Sequence, residues 1–220
     1  MTSKVYDYAG EKITVHYDVK RCIHSAECSR GLPKVFNPQR KPWVDPNEAS
    51  ADAIAEVITR CPTGALHFTR QDDASPEPVP EHNTISVFPN GPLILRGDLE
   101  VQGPDGSVML KDTRIALCRC GASKNKPFCD GSHAKVEFQD AGELGKNTAK
   151  TVATESAEQT LKIIPSPSGP FTLKGETELL SADCQVRYIG NRMFLCRCGA
   201  SGNKPFCDGT HSKVGFTAEE

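Results

Sequence analysis

An internal duplication constrains this chain more than any other feature of its sequence. Residues 89–138 align without a gap onto residues 167–216 at a constant offset of 78, and 27 of the 50 aligned positions are identical. The identity is concentrated in two segments, CRCGASKNKPFCDGSH at 118–133 and CRCGASGNKPFCDGTH at 196–211. Because a sequence repeated at a fixed period folds into repeated structure, two copies of one small unit are predicted.

Each of these segments contains three cysteines and one histidine in the pattern C-x-C-x8-C-x3-H. Thiolate and imidazole are donors that suit both iron–sulfur clusters and zinc. Zinc ligand pairs are usually separated by about two to four residues, so the single residue within the first pair favours a binuclear iron–sulfur cluster. A structural Cys3His zinc site remains the alternative. The candidate ligands are Cys118, Cys120, Cys129 and His133 in the first repeat, and Cys196, Cys198, Cys207 and His211 in the second.

The composition agrees with metal binding in a reducing compartment. The chain has 220 residues, ten cysteines and a formal net charge of −2, and glycine and proline together number 34 (18 plus 16). Clustered cysteines in cytosolic proteins more often bind metal than form disulfides. The N-terminal MTSKVYDYAGEK has no apolar run, and no stretch approaches the ~20 residues of a membrane span. A soluble cytoplasmic protein that binds neither nucleic acid nor membrane is predicted.

Apolar runs punctuated by glycine and proline predict a few short strands before each ligand loop. These runs are Leu93–Leu95, Leu99–Val101 and Ile115–Leu117, with Phe171–Leu173, Leu179–Leu180 and Met193–Leu195 in the second repeat. After the third cysteine, Asp130 and Asp208 are predicted to cap a short helix whose first turn carries the histidine. The acidic, proline-rich residues 71–88 and the polar residues 139–166 are predicted to be linkers.

The two ligand segments resemble the signature of the CDGSH iron–sulfur domain family, to which mitoNEET belongs. The family pattern, C-x-C-x2-S/T-x3-P-x-C-D-G-S/A/T-H, is met at every fixed position in both copies. The resemblance implies a [2Fe–2S] cluster at each of the two ligand sets, iron being the metal, and a small β-domain beside each cluster-binding lobe. Family members with one motif form dimers, so two copies in one chain imply an intrachain pseudo-dimer that is a monomer in solution.

The remaining residues of the repeats set the expected character of the sites. A neutral histidine in place of a fourth thiolate removes one negative charge, which favours the reduced state of a cluster. Arg119 and Arg197, inside each C-x-C, either lie close and add to this effect or point to solvent. Ser123 and Ser201 are predicted to add hydroxyl donors to cluster sulfides. Cys184 aligns with a glycine of the first repeat and is predicted not to be a ligand.

Residues 1–70 follow a different pattern and predict a compact α+β domain. Lys12–Asp18 alternates in polarity like a strand, and Ala51–Arg60 places its apolar residues on one helical face. Leu66–Thr69 is predicted to be a closing strand.

Three cysteines of this domain, Cys22, Cys28 and Cys61, have the order C-x5-C followed by a distant C-P, which resembles a divergent single-cluster ferredoxin domain. Ser25 stands where the usual C-x2-C-x2-C run has its middle cysteine, and His24 lies beside it. Three thiolates suffice for a [3Fe–4S] cluster, or for a [4Fe–4S] cluster with a non-cysteine fourth ligand. The alternatives are a domain that keeps the fold without a cluster, and a His24 that is a surface residue.

The sequence thus predicts a mainly β iron–sulfur protein with little helix. Its parts are a ferredoxin-like α+β domain at 1–70, linkers at 71–88 and 139–166, and CDGSH-type repeats at 89–138 and 167–216. The leading function is one-electron transfer with redox proteins as partners. The second hypothesis is a function in cluster storage, in cluster transfer to apo iron–sulfur acceptors, or in redox or pH sensing. It is based on the histidine ligand, which protonation releases. The third hypothesis is an interaction module stabilised by zinc. The sequence has no nucleophile–base motif, which predicts no enzymatic activity.

Overall fold

The computed structural model describes residues 4–72, 74–146 and 159–218, which belong to two compact units, Met1–Pro78 and Val79–Glu220. The boundary between the units falls inside the first predicted linker. Residues 1–3 of the predicted first domain, and residues 73 and 147–158 of the predicted linkers, lie outside the described residues. Among the helices that are described, none is long and apolar enough to cross a membrane.

The first unit combines a small antiparallel sheet with two helices. The sheet has the order β1–β2–β3, with strands Val5–Ala9, Ile13–Asp18 and Leu66–Arg70, and the helices are α1, Glu27–Gly31, and α2, Ala51–Thr59. β2, α2 and β3 confirm the two strands and the helix predicted for this domain. β1 was not predicted, because its residues are almost all exposed and therefore carry no apolar alternation.

Local sequence explains where α2 begins and which face it buries. Ser50 precedes the helix, and its Oγ accepts a hydrogen bond from the Ala53 amide at 3.3 Å, as expected of an N-cap residue. Ile54, Val57 and Ile58 lie on one face and are buried in the core of the first unit, together with residues of β2 and β3. This packing fixes the end of α2, after which Cys61 follows.

The described residues of the second unit form six strands and two short helices. The first repeat contributes β5 (Leu93–Gln102), β6 (Val108–Leu117) and α3 (Ser132–Lys135), and β4 (Thr84–Val87) precedes it. The second repeat contributes β8 (Phe171–Leu180), β9 (Arg187–Leu195) and α4 (Thr210–Lys213), and β7 (Leu161–Pro165) precedes it. β4 pairs antiparallel with β5 and parallel with β8, and β7 pairs antiparallel with β8 and parallel with β5. These four strands close into a small barrel, and β6 and β9 extend it as partners of β5 and β8.

Strands β4 and β7 connect the two repeats, because each pairs with strands of both. They lie inside the segments 71–88 and 139–166, so the prediction that these segments are linkers throughout is wrong. Each strand has only four or five residues, too few to stand out from a polar, proline-rich background, and tertiary pairing decides its structure. One hydrophobic core contains buried residues of both repeats.

The short strands predicted on either side of Gly97 and Gly175 are continuous in the structure. The pairing register of β5 with β6 shifts between Arg96 and Leu99, which marks a bulge at Gly97. A Cβ on Gly97, where φ is +147°, would lie 2.1 Å from Asn83 Oδ1, and a Cβ on Gly175 would lie 2.8 Å from a backbone carbonyl. Glycine therefore bends each strand here without ending it.

Candidate metal centres

A short antiparallel bridge after β6 brings together the first and third cysteines of the first ligand loop. The Cys118 amide donates to the Pro127 carbonyl at 2.9 Å, and the Cys129 amide donates to the Ala116 carbonyl at 2.8 Å. The second repeat has the same two bonds, at 2.8 and 2.9 Å, from its own first and third cysteines. The strand end and the returning loop thus position two ligands through backbone bonds alone.

The four candidate donors of each repeat lie as two pairs. Cys118 Sγ is 3.8 Å from Cys120 Sγ, and Cys129 Sγ is 3.4 Å from His133 Nδ1. The corresponding distances in the second repeat are 3.7 and 3.4 Å. Within the part of the chain that the structure describes, no group of three or more Cys, His, Asp or Glu side chains is arranged to hold a single metal ion. Paired donors suit a binuclear cluster, in which each iron takes two protein ligands.

Burial and the contact between neighbouring thiols shift the pKa values of the ligands. Desolvation raises the pKa of Cys129 to about 12. In the first pair, the thiol contact lowers the pKa of Cys118 and raises that of Cys120. Because a coordinated metal deprotonates its thiol ligands, cluster binding must release protons from this loop.

Ser123 and Ser201 form hydrogen bonds within their own ligand loops. Ser123 Oγ donates to the Phe128 carbonyl at 2.7 Å and accepts from the Asn125 amide at 3.0 Å. Ser201 makes the equivalent two bonds at the same distances. The structure thus gives the one proton of each hydroxyl a backbone acceptor within its own loop, where the sequence suggested donation to cluster sulfides.

The aspartate after the third cysteine joins the ligand loop to the helix that carries the histidine. Asp130 accepts hydrogen bonds from the Ser132 amide at 2.9 Å and from the Lys124 amide at 2.8 Å. It therefore satisfies the first N–H group of α3, as predicted, although Gly131 occupies the N-cap position itself. His133 lies in the first turn of α3 and is half-buried. The second repeat reproduces this arrangement.

The arginine inside each C-x-C is buried and does not point to solvent. Arg119 Nε donates to the Gly91 carbonyl at 2.9 Å, and its Nη2 donates to the Phe88 carbonyl at 2.7 Å. Its Nη1 forms an ion pair with Asp140. Arg197 is also buried, with 2% of its surface exposed. The guanidinium of Arg119 is thus held inside the fold by two backbone carbonyls and by Asp140.

Residues 139–146, part of the second predicted linker, contact both ligand loops. At one end Asp140 pairs with Arg119, and at the other the Gly145 amide donates to the Lys204 carbonyl at 2.9 Å. This segment is therefore a strap between the first C-x-C and the second ligand loop. The sequence did not identify Asp140, because the residue lies beyond the aligned repeat in a polar stretch that predicts a linker.

The two C-x-C loops contact each other backbone to backbone. A Cβ on Gly121, where φ is +78°, would lie 2.7 Å from the carbonyl oxygen of Cys198. A Cβ on Gly199, where φ is +79°, would lie 2.8 Å from the carbonyl oxygen of Cys120. The glycine of each loop thus packs against a ligand residue of the other, so the two candidate sites are contiguous.

The three cysteines of the first unit line a single cavity of about 710 Å³. Cys22 precedes α1, Cys28 lies in its first turn, and Cys61 follows α2. Burial raises the pKa of Cys28 to about 11. The structure therefore brings together the thiols that the sequence predicted as ligands of a third cluster.

Aromatic and buried basic side chains shape this cavity. Trp43 lies edge-on to Tyr17, with ring centroids 4.9 Å apart, and both line the cavity. Arg21 is buried, and its Nη2 donates at 2.6 Å to the carbonyl of Thr63. This bond ties the segment before Cys22 to the turn after Cys61. Soft thiol donors that line one cavity fit an iron–sulfur cluster.

Cys184 lies apart from the candidate ligands and is exposed. It adopts φ +57° at the turn position that Gly106 occupies, with φ +82°, in the first repeat. Because a side chain in this conformation costs about 1–2 kcal/mol, we expect Cys184→Gly to raise the free energy of unfolding by about 1 kcal/mol. Chemical denaturation measures this change, and iron content should stay constant. Lost iron would contradict the assignment of Cys184 as a non-ligand.

Comparison with known protein families agrees with this geometry. Residues 90–134 and 168–212 each match the family model described as "Iron-binding zinc finger CDGSH type", whose domains bind [2Fe–2S] clusters. Residues 8–71 match the model described as "Divergent 4Fe-4S mono-cluster". Both resemblances predicted from the sequence are thereby confirmed.

Two curated relatives match a smaller part of the chain. They are the uncharacterized protein YjdI of Escherichia coli strain K12 and that of strain O157:H7. Each is 46% identical over 61 residues, which is 28% of this chain and 80% of the relative. No solved structure matches the chain significantly. The chain therefore carries a divergent 4Fe–4S mono-cluster domain at 8–71, followed by two CDGSH-type iron-binding domains.

Proposed function

We propose that this protein transfers single electrons, and that it binds two [2Fe–2S] clusters in its second unit and one [4Fe–4S] cluster in its first. The observation that carries the proposal is the contact between the two C-x-C loops, in which Gly121 packs against Cys198 and Gly199 against Cys120. Contiguous ligand loops suit electron exchange between two redox centres within one rigid unit. The proposal assigns no enzymatic activity to the chain.

The residues of the second unit would hold the clusters in a protein-defined environment. Cys118 and Cys120 would bind one iron of the first cluster, and Cys129 and His133 the other, with the equivalent ligands in the second repeat. A bound [2Fe–2S] cluster supplies a centre that accepts and returns one electron. Arg119, between Cys118 and Cys120 in sequence, is buried and paired with Asp140, which anchors the loop that would hold the first iron.

Each histidine lies where a redox partner can approach. His133 and His211 are half-buried, whereas Cys129, the third cysteine of the first ligand loop, is only 3% exposed. Three residues after each histidine stands an exposed valine, Val136 or Val214, with 52% and 53% of its surface accessible. An apolar, accessible surface next to a ligand suits brief docking of another redox protein.

Cluster storage, cluster transfer or redox sensing is the second candidate function. The same partial exposure of His133 and His211 favours it, because an accessible imidazole ligand is easier to displace than a buried thiolate. Apo iron–sulfur proteins would then be the partners.

Two parallel experiments separate these functions. Holo-protein is mixed with a reduced flavoprotein, and its visible spectrum is followed by stopped flow; separately, it is incubated with an apo-ferredoxin. If the protein transfers electrons, its visible absorbance should bleach when it is mixed with the reduced flavoprotein. The ferredoxin recovered from the second experiment should then contain no iron. Iron and sulfide that move to the ferredoxin, without reduction by the flavoprotein, would support cluster transfer. A colourless protein with stoichiometric zinc would contradict both and leave an interaction module.

The ligand role of the histidine predicts a change in reduction potential. We expect His133→Cys with His211→Cys to retain both clusters and to lower their potentials by on the order of 100 mV, because a fourth thiolate adds negative charge. Protein film voltammetry or a redox titration followed by absorbance measures the shift. His82→Cys adds a thiol outside the ligand loops and should leave the potentials unchanged. Equal potentials in all three proteins would exclude histidine ligation.

A further inference from the structure

The cluster domain of the first unit has three cysteines for a cluster of four irons. Cys22, Cys28 and Cys61 line the cavity, and residues 1–78 contain no other cysteine. The fourth iron of a [4Fe–4S] cluster therefore needs a non-cysteine ligand from this unit or a ligand from solution. Imidazole is a good ligand for iron, and the unit has three histidines, His16, His24 and His67.

Two of these histidines are engaged in the sheet, away from the cysteines. His16 contacts Asp7 at 2.7 Å through Nδ1 and Thr69 at 2.8 Å through Nε2, so both of its ring nitrogens are used. His67 Nδ1 contacts Glu77 at 2.9 Å. Neither lines the cavity, whereas His24 does.

His24 is held beside the thiols by its backbone conformation. Its Nδ1 lies 3.9 Å from Cys22 Sγ, which places the imidazole next to the thiols. His24 and Ala26 both adopt left-handed conformations, with φ of +57° and +63°. Side chains rarely adopt this conformation without a structural or functional reason. Both residues lie in the loop between Cys22 and Cys28, and this loop lines the cavity with His24 among its residues.

We infer that His24 is the fourth protein ligand of the cluster in the first unit. The inference rests on the proposed [4Fe–4S] cluster of that unit and names its missing ligand. His24 is exposed, unlike Cys61. The iron it binds is therefore the one nearest solvent, and its loss would convert the cluster to a [3Fe–4S] form.

The test uses the full chain with its other histidine ligands removed. In a His133→Cys, His211→Cys background labelled with 15N-histidine, both [2Fe–2S] clusters have only cysteine ligands, so pulsed electron paramagnetic resonance reports histidine nitrogen bound to the cluster of the first unit. We expect a strong nitrogen coupling that disappears in His24→Ala, with the loss of one iron per chain and no loss of sulfide. Glu27→Gln changes another polar side chain lining the same cavity and should leave the coupling and the iron content unchanged.

The possible results separate the ligand role of His24 from the presence of a cluster in the first unit. A four-iron cluster without histidine nitrogen coupling, or one that keeps all its iron in His24→Ala, would overturn the ligand role of His24 and leave the cluster in place. Iron content that is unchanged by Cys61→Ser would show that the first unit holds no cluster, and would overturn both. His24→Cys should retain four irons while losing the nitrogen coupling, which excludes a merely structural role for the imidazole.

Discussion

Replacing Gly121 with alanine is expected to remove iron from both repeats of the second unit. The new Cβ would lie 2.7 Å from the carbonyl oxygen of Cys198, a backbone atom that cannot rotate away. We expect an overpacking cost of about 1–3 kcal/mol, added to about 1–2 kcal/mol for a side chain at φ +78°. The displaced Cys198 belongs to the other ligand set, so the substitution perturbs the second site directly.

Iron and sulfide per chain, together with the unfolding free energy, measure this effect. Gly106→Ala is the matched control, because Gly106 has φ +82° and a Cβ there would meet nothing within 4 Å. The unfolding free energy of the control should fall only by the cost of a side chain at positive φ, and the control should keep its iron. Gly199→Ala, with its Cβ 2.8 Å from the Cys120 carbonyl, should behave like Gly121→Ala. Equal losses in Gly106→Ala and Gly121→Ala would contradict the contact between the loops.

Replacing Asp140 with alanine is expected to cost about 3–5 kcal/mol of stability, because it leaves the charge of a buried arginine uncompensated. The side chain of Arg119 is 0% exposed and that of Asp140 is 13% exposed. Asp140 also accepts a hydrogen bond from the Gly142 amide at 2.9 Å, which holds the strap in place. Because Arg119 lies between two ligands, its displacement should also weaken iron retention in the first loop.

Glu178→Ala is the matched control for the ion pair. Glu178 pairs with Arg187 at 3.2 Å, where the two side chains are 28% and 69% exposed. Its loss should therefore cost at most about 1 kcal/mol. Asp140→Asn keeps an oxygen acceptor. Its unfolding free energy, measured by chemical denaturation, should therefore lie between those of Asp140→Ala and Glu178→Ala. An Asp140→Ala protein as stable as Glu178→Ala would show that the ion pair contributes little.

Much of the fold and of the site followed from local sequence patterns. The helix at Ala51–Thr59 and the strand at Leu66–Arg70 follow from an amphipathic run and a short apolar run. The duplicated ligand pattern led to the donors that the structure places in pairs. These features depend on residues close together in sequence, so periodicity and spacing are sufficient to predict them.

The features that sequence did not predict depend on long-range partners. β4 and β7 are strands because each pairs with both repeats, and nothing in their four or five residues carries that information. Asp140 acquires its role from Arg119, 21 residues earlier, which is itself buried. The approach of Gly121 to Cys198 arises only when both loops have folded. Composition alone described these segments as linkers or loops.

The binuclear character of the paired ligand sets is tested most directly by electron paramagnetic resonance on anaerobically purified, reduced protein. Iron, acid-labile sulfide and zinc are quantified on the same sample. The account predicts two [2Fe–2S] signals per chain with histidine nitrogen coupling, both of which lose that coupling in His133→Cys with His211→Cys. Stoichiometric zinc without sulfide, or iron that survives serine substitution of Cys129 and Cys207, would contradict it.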